Sequence, residues 1–293
     1  MGMISIITPF YNGNKYMKQL FCSLEDNYIT LKSKFPNAEM ELVIVNDSPV
    51  LPVNLNFINV KFEYRIITHE CNLGIHQARV TGLNNCKGDY ILFLDQDDEL
   101  FEDAITKQFE LLTNDKSDMV ICNAYIERAD GKRDLLYKKR TDFNRLHDLM
   151  FFLKSHNVIK SPGQCLIKKT MIPEEWKKYI IKKNGSDDLF LWILMLEKKC
   201  KITVNKEPLY IHKYTGENLS NSEEKMSISS LDIVDLLKKI NYVPLNDIEL
   251  LKKSREISLE FKTEKLPEKM MTIFKNIDLF TYLVFCKIKR MIY

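Results

Sequence analysis

Three stretches in the first hundred residues limit what this chain can fold into. "ISII", "LVIV" and "YILFL" are almost unbroken apolar runs, each ending abruptly in polar residues: Thr8, then Asn46 and Asp47, then Asp95. A half-buried strand alternates apolar and polar side chains, whereas a continuous apolar run belongs to a strand covered on both faces. Between the runs lie segments with helical spacing, "KYMKQLFCSLEDNYITLKSKF", "GIHQARVTGLNNC" and "EDAITKQFELLT". Strands also read at "FEYRIIT" and "DMVICNAYIE", the latter running into a hairpin turn at "ADGKR". Strand alternating with helix predicts an α/β fold, a mostly parallel sheet flanked by helices.

The middle of the chain is mixed. "RLHDLMFFLKS" and "EEWKKYIIKK" suggest short helices, "GQCLIKK" and "KITVNKEPLYIHKY" strands, and "SDDLFLWILMLEKKC" a strongly apolar helix opening on two aspartates. "ENLSNSEEKMSISS" reads as a polar loop, and the rest of the chain as helical. The expected organisation is an α/β domain over 1–220, with a first half over 1–125 and a second over 126–220, and a helical C-terminal extension over 221–293.

With 45% hydrophobic and 28% charged residues, the 293-residue chain can bury a core. A net charge of +3 gives no reason to expect nucleic acid. The seven cysteines are odd in number and form no C-x-x-C pair, so reduced core thiols in a cytoplasmic protein are expected, and zinc is not. The N-terminus lacks the pattern of a signal peptide, and no uncharged stretch reaches bilayer length.

The chemistry concentrates in "LDQDDE". Asp95, Asp97, Asp98 and Glu99 stand within five positions at the end of a buried strand. Like charges so close raise one another's pKa and require a neutralising partner. Asp95 and Asp97 are suited to Mn²⁺ or Mg²⁺, which prefer hard oxygen ligands. Alternatively, Asp97 or Asp98 caps the next helix, with Glu99, Glu102 and Asp103 favouring its positive end. Strand ends of an open α/β sheet converge on one crevice, which would gather Thr8, Asp47 and Asp95. Arg79 is shaped to hold phosphate oxygens. Asp187 and Asp188 open an apolar helix, where carboxylates act as caps or as a general base. His212 follows a strand, and alone reads as structural.

Taken in order, "ISIITPFYN", "LVIVND", "NLGIHQARVTGL", "GDYILFLDQDD" and "SDDLFLWILML" resemble the family 2 glycosyltransferases over roughly residues 3 to 220. That resemblance implies the GT-A (Rossmann-like) fold and transfer of a sugar, with inversion, from a nucleotide-sugar, most often a UDP-sugar. It places Thr8, Pro9, Phe10, Tyr11, Asp47, Gly74, Arg79, Asp95 and Gln96 around the nucleotide. Asp97 and Asp95 would hold Mn²⁺ or Mg²⁺, with His212 as a further metal or phosphate contact. Asp188 would be the base, with Asp187 as second choice, and Gly163 and Gln164 would face the acceptor. Two departures stand out: Asn46 replaces an aspartate of the family pattern, and His212 and Tyr214 fall near its usual Arg and His.

The expected acceptor is a glycan or lipid-linked glycan of a surface polysaccharide. Two other readings stay open, a nucleotidyltransferase and a non-catalytic sugar-binding module. The first is disfavoured by the single glycine of "TPFYNGNKY", the second by the joint presence of Asp95, Asp97 and Asp188. Residues 270–293 mix aromatic and aliphatic side chains with Lys287, Lys289 and Arg290, which suits peripheral contact with the inner face of the cell membrane. Packing on the enzyme body or on a second copy, as a homodimer, is the alternative.

Overall fold

The computed structural model describes residues 2–56, 59–182, 185–215, 223–263 and 265–292. Nine strands, β1 (Met3–Phe10), β2 (Glu39–Asn46), β3 (Glu63–Thr68), β4 (Tyr90–Phe93), β5 (Glu99–Leu100), β6 (Met119–Glu127), β7 (Arg133–Leu135), β8 (Cys165–Lys168) and β9 (Ile202–Lys213), form one sheet. Its order is β3-β2-β1-β4-β8-β6-β9-β5, with β7 paired to β6. The first four strands are parallel. Beyond β4 the sheet is mixed: β8 runs antiparallel to β4 and β6, β9 runs parallel to β6, and β5 and β7 are antiparallel additions.

The helices are α1 (Asn14–Lys34), α2 (Ile75–Asn85), α3 (Ala104–Asn114), α4 (Arg140–Asn144), α5 (Leu149–Lys154), α6 (Glu174–Lys178), α7 (Asp187–Glu197), α8 (Glu223–Leu237), α9 (Leu245–Thr263), α10 (Leu266–Lys275) and α11 (Ile277–Ile292). Alternate residues of each central strand enter opposite cores. Ile7, Val43, Val45, Ile91 and Phe93 pack with α2 and α7 on one face. Ile4, Ile6, Leu42, Ile44 and Leu92 pack with α1 and α3 on the other. This two-sided burial is the physical cause of the unbroken apolar runs.

Three expectations are corrected. "ENLSNSEEKMSISS" is helical from Glu223, and Ile233 and Val234 of that helix join the core beneath α7. The helix read across "EEWKKYIIKK" stops at Lys178. Neither Asp97 nor Asp98 caps α3: the chain first forms β5, and Asp103 takes the N-cap position. The expected domain boundary near residue 220 lies outside the described residues. The cysteines are all unpaired; Cys86, Cys122 and Cys165 are core thiols, whereas Cys22 and Cys71 are exposed.

Candidate active site

Because β1, β2 and β4 are parallel, their carboxyl ends open on the same side. There they form one wall of a cavity of about 730 Å³, a size that suits a small-molecule ligand. Pro9, Phe10, Tyr11, Asp47, Arg79, Asp95, Gln96, Asp97, Asp187, Asp188 and His212 all line it. Residues from three separate thirds of the sequence thus meet in one place.

Arg79 is the crosspiece. It rises from α2, is buried, and splits its guanidinium between two carboxylates. Nη1 donates to Asp187 Oδ2 at 2.7 Å and Nη2 to Asp95 Oδ1 at 2.6 Å. Burial opposes its charge, but Asp187 and Asp95 outweigh burial and hold it cationic. Both terminal nitrogens are therefore committed to protein, and Arg79 acts as the tie between β4 and α7. Arg79 also reaches the cavity wall.

The acidic run divides into three fates. Asp95 is paired with Arg79, and Ser161 Oγ lies 3.4 Å from its other oxygen. Burial and the neighbouring Asp98 raise its pKa against the pull of Arg79. Asp98 is buried and used structurally. It accepts hydrogen bonds from Tyr210 Oη and from Lys213 N at 2.9 Å, and its Oδ2 lies 3.1 Å from His212 Nδ1. The β5–β9 pairing, Glu99 opposite Ile211, brings these groups together. Burial disfavours a charge on His212, but Asp98 outweighs it and raises the His212 pKa, favouring the imidazolium. Among the described residues no salt bridge reaches Asp97, and the pull of His212 is outweighed. Burial, then Asp98 and Asp95, push its pKa up to about 7.

The Asp97 carboxylate beside Asp95 has the donor chemistry of a hard-cation site, which His212 can join through its other ring nitrogen once it gives up its proton. Among the described residues no three His, Cys, Asp or Glu side chains converge to hold a metal by themselves. A cation here would have to complete its shell from a diphosphate and water, the usual habit of Mg²⁺.

The aspartates that open α7 differ from each other in the same way. Asp187 is buried. Burial would raise its pKa, but Arg79, with His76 next, more than offsets that and holds it below the usual carboxylate range. Asp188 is half-buried at the cavity wall. It accepts from Asn157 Nδ2 and from Leu189 N, both at 2.7 Å. Burial, then the charge on Asp187, push its pKa up to about 7. Trp176 Nε1 donates to the Asp187 carbonyl at 2.8 Å and so fixes the start of the helix. His76, tilted against Trp176 with ring centroids 4.5 Å apart, is driven down to about 4 by burial.

Several expected contacts are turned inward. Thr8 is wholly buried and does not line the cavity. Gln164 is buried, donating to the Cys122 carbonyl and to Tyr137 Oη and accepting from Lys160 N. Gly163 is packed so tightly that a Cβ there would sit 2.4 Å from the Tyr210 ring. It is Lys160, Ser161 and Pro162 that reach the cavity instead. Asp47 accepts from Leu73 N and Gly74 N at 2.8 Å, and His69 Nδ1 lies 2.8 Å from its Oδ1. Gly74, at φ 88°, makes the turn that aims these amides at Asp47. Gln96 clamps the Tyr11 backbone with two 3.0 Å hydrogen bonds, joining the ends of β1 and β4.

Sequence reasoning missed His69, Asn157, Lys15 and Lys160. The two lysines bring positive charge to a wall otherwise rich in carboxylates. A lysine in a polar loop carries no local mark of its role. Asn157 becomes visible only once α5, which it follows, has folded against α7.

The sequence matches the profile described as glycosyl transferase family 2 over residues 5–175. It is 26% identical over 275 residues to a Streptococcus pneumoniae protein named glycosyltransferase GlyA, covering 87% of this chain and 38% of that one. It is 24% identical over 256 residues to the Staphylococcus aureus poly(ribitol-phosphate) beta-N-acetylglucosaminyltransferase TarS, covering 85% and 42%. The chain thus spans about two fifths of the length of these relatives. The crystal structure of S. aureus TarS in complex with UDP-GlcNAc aligns with a TM-score of 0.64 at 18% identity, over 95% of this chain and 80% of that one. That likeness establishes the expected α/β fold of the GT-A type, with its helical C-terminal region. The profile match takes in Asp47, Arg79 and the whole Asp95–Asp98 run, and with more than half its length so matched the chain belongs to glycosyl transferase family 2.

Proposed function

We propose that the chain is an inverting glycosyltransferase that moves a sugar from a UDP-sugar to a hydroxyl of a glycan or lipid-linked glycan in surface polysaccharide synthesis. The observation that carries this reading is the split between adjacent carboxylates: Asp187 is neutralised by buried Arg79, while Asp188 faces the same cavity as Asp97 with its pKa near neutrality. A general base works best with a pKa near the working pH. Asp188, oriented by Asn157, removes the proton of the attacking hydroxyl. Attack on the face opposite the leaving diphosphate inverts the anomeric centre.

On the donor side, Asp97 and Asp95, with His212 oriented by Asp98, are the residues that would hold Mn²⁺ or Mg²⁺. Such an ion supplies charge stabilisation at the leaving diphosphate. Lys15 and Lys160 stand on the same wall for the phosphates. Asp47, held by the 73–74 amides, faces the nucleoside beside Phe10 and Tyr11. Support for uridine as the nucleoside comes from TarS, whose structures were solved with UDP-GlcNAc and with UDP. Support for a polyol-phosphate or glycan acceptor comes from the poly(ribitol-phosphate) transferases among the relatives.

The test is titration calorimetry with UDP, GDP, CDP and dTDP, each with Mn²⁺ and with EDTA. UDP binding that needs both Mn²⁺ and Asp97 is expected, followed by UDP release from a UDP-sugar when acceptor is added. Failure to bind any nucleotide overturns the reading.

A further inference from the structure

We propose that the outward face of α11 is a docking surface for an anionic lipid bilayer. One side of this helix is fastened to the body. Arg145 Nη2 donates to the Cys286 carbonyl at 2.7 Å, Lys139 Nζ to the Met291 carbonyl at 3.2 Å, and Arg290 Nε meets Asp142 Oδ1 at 2.7 Å. Leu279 is buried on that side. The helix is thereby fixed in rotation, and what it shows outward is set by the fold.

It shows apolar side chains. Ile277, Val284, Phe285, Ile288 and Met291 recur at the three-, four- and seven-residue steps of one helix face, and all are exposed, Met291 by 73%. A soluble protein scatters such residues singly, and a contiguous stripe of them marks an interaction surface. In the preceding helix, Met270 and Phe274 repeat the pattern.

The rim of the stripe indicates which surface it fits. Lys287 and Lys289 flank Ile288 in sequence, and successive helix residues turn by roughly 100°, so one lysine lies on each edge of the stripe. From residue 265 to the end there are six Lys and Arg and two Asp and Glu. Of the two acids, Asp278 lies 3.6 Å from Lys253. An apolar face between two cationic rims fits an acyl boundary lined by anionic headgroups, into which the lysine stems extend. A twofold contact with a second copy would instead bring the cationic rims together, with no surplus of carboxylates to meet them. No helix among the described residues is long and apolar enough to cross a membrane, so contact through α11 is contact along the surface.

The experiment is vesicle co-sedimentation of the 293-residue chain, with phosphatidylcholine vesicles and with vesicles containing phosphatidylglycerol. It reads lipid binding without any sugar, and so is independent of the transferase reading. The chain is expected to pellet with the anionic vesicles and to stay in solution with the neutral ones. Val284→Asp with Ile288→Asp should abolish pelleting. Lys287→Gln with Lys289→Gln, which removes two exposed cations, the second lying over the Phe285 ring at 4.5 Å, should weaken it on the order of tenfold and keeps the test readable if the aspartate variant unfolds. The proposal is overturned by no pelleting with anionic vesicles, by equal pelleting with both kinds, or by lysine variants that bind as the parent does. A dimer in light scattering that Ile288→Asp dissociates, with no vesicle binding, assigns the face to a second copy and overturns it too.

Discussion

The two acidic clusters of the cavity solve one electrostatic problem in different ways. After β4, three aspartates crowd together; at the start of α7, two stand side by side. Each cluster gives one carboxylate to Arg79 and leaves another facing the cavity with a pKa near 7. They differ in what surrounds the carboxylate that is left over. Asp97 has Asp95 close by and no salt bridge among the described residues, with His212 paired to Asp98 instead. Asp188 has an amide, Asn157, and a backbone N–H, which orient a carboxylate without neutralising it. The first environment suits a cation and the second suits a proton, and the proposed chemistry needs one of each.

The most direct challenge to this division is to exchange each carboxylate for its amide. Asp188→Asn should lower kcat by about 10²–10⁴-fold, the range expected for loss of a general base, while the Kd for UDP changes little. A UDP-release assay beside calorimetry measures both. Asp97→Asn should do the reverse in kind: UDP affinity becomes insensitive to EDTA, and activity falls by about 10²-fold or more with loss of charge stabilisation at the leaving group. If Asp97→Asn spares Mn²⁺-dependent binding, the assignment of the two clusters is wrong. At saturating Mn²⁺, which holds Asp97 ionised, the parent should also show kcat/KM rising tenfold per pH unit below about 7 and levelling above it, because only ionised Asp188 accepts a proton.

Arg79 joins the clusters, so its removal should damage both. Arg79→Met leaves buried Asp187 without its countercharge, and breaking such a pair costs about 3–5 kcal/mol. Arg79→Lys keeps a charge but cannot reach two carboxylates in a planar fork, and should recover only part of the loss. Denaturant melts of the three proteins order these effects.

How far the sequence revealed all this runs along the same division. The apolar runs ending at Thr8, Asn46 and Asp95 announced a sheet covered on both faces, and the parallel half of the fold was legible from them. The antiparallel insertion of β8 was not, because "CLIK" is four residues long and its partners, β4 and β6, are set by tertiary packing. Carboxylates at strand and helix ends stood out because they cost so much to bury. Their partners did not. Arg79 looked like a phosphate ligand because its targets, Asp95 and Asp187, lie 16 and 108 residues away. Asp98 looked like a helix cap because nothing local shows that Tyr210 and His212 return to it through β9. The inward turn of Gln164 was hidden for the same reason, since its carbonyl and hydroxyl partners belong to β6 and the loop after β7.

The weakest effect is also the most discriminating for Asp188, because it is read without substrate. A carboxyl whose folded-state pKa is raised favours the folded protein while it is protonated. That contribution is present in full below its unfolded pKa, near 4, and is lost as pH rises through about 7. Asp188→Asn removes the titration, so its melting temperature relative to the parent should climb between pH 4 and pH 7 and reach a plateau, a few degrees higher, by pH 8. Asp187→Asn should show no such climb: Arg79 holds Asp187 ionised, so its variant melts lower than the parent by a constant amount over this interval, and the deficit shrinks only as pH falls below about 4 through the depressed pKa of Asp187. A residue kept at a cost to stability and a residue kept for stability would then be adjacent in the chain. Parallel melting curves for the two variants would mean that the carboxylates share one role, and that the cavity separates them less than their hydrogen bonds imply.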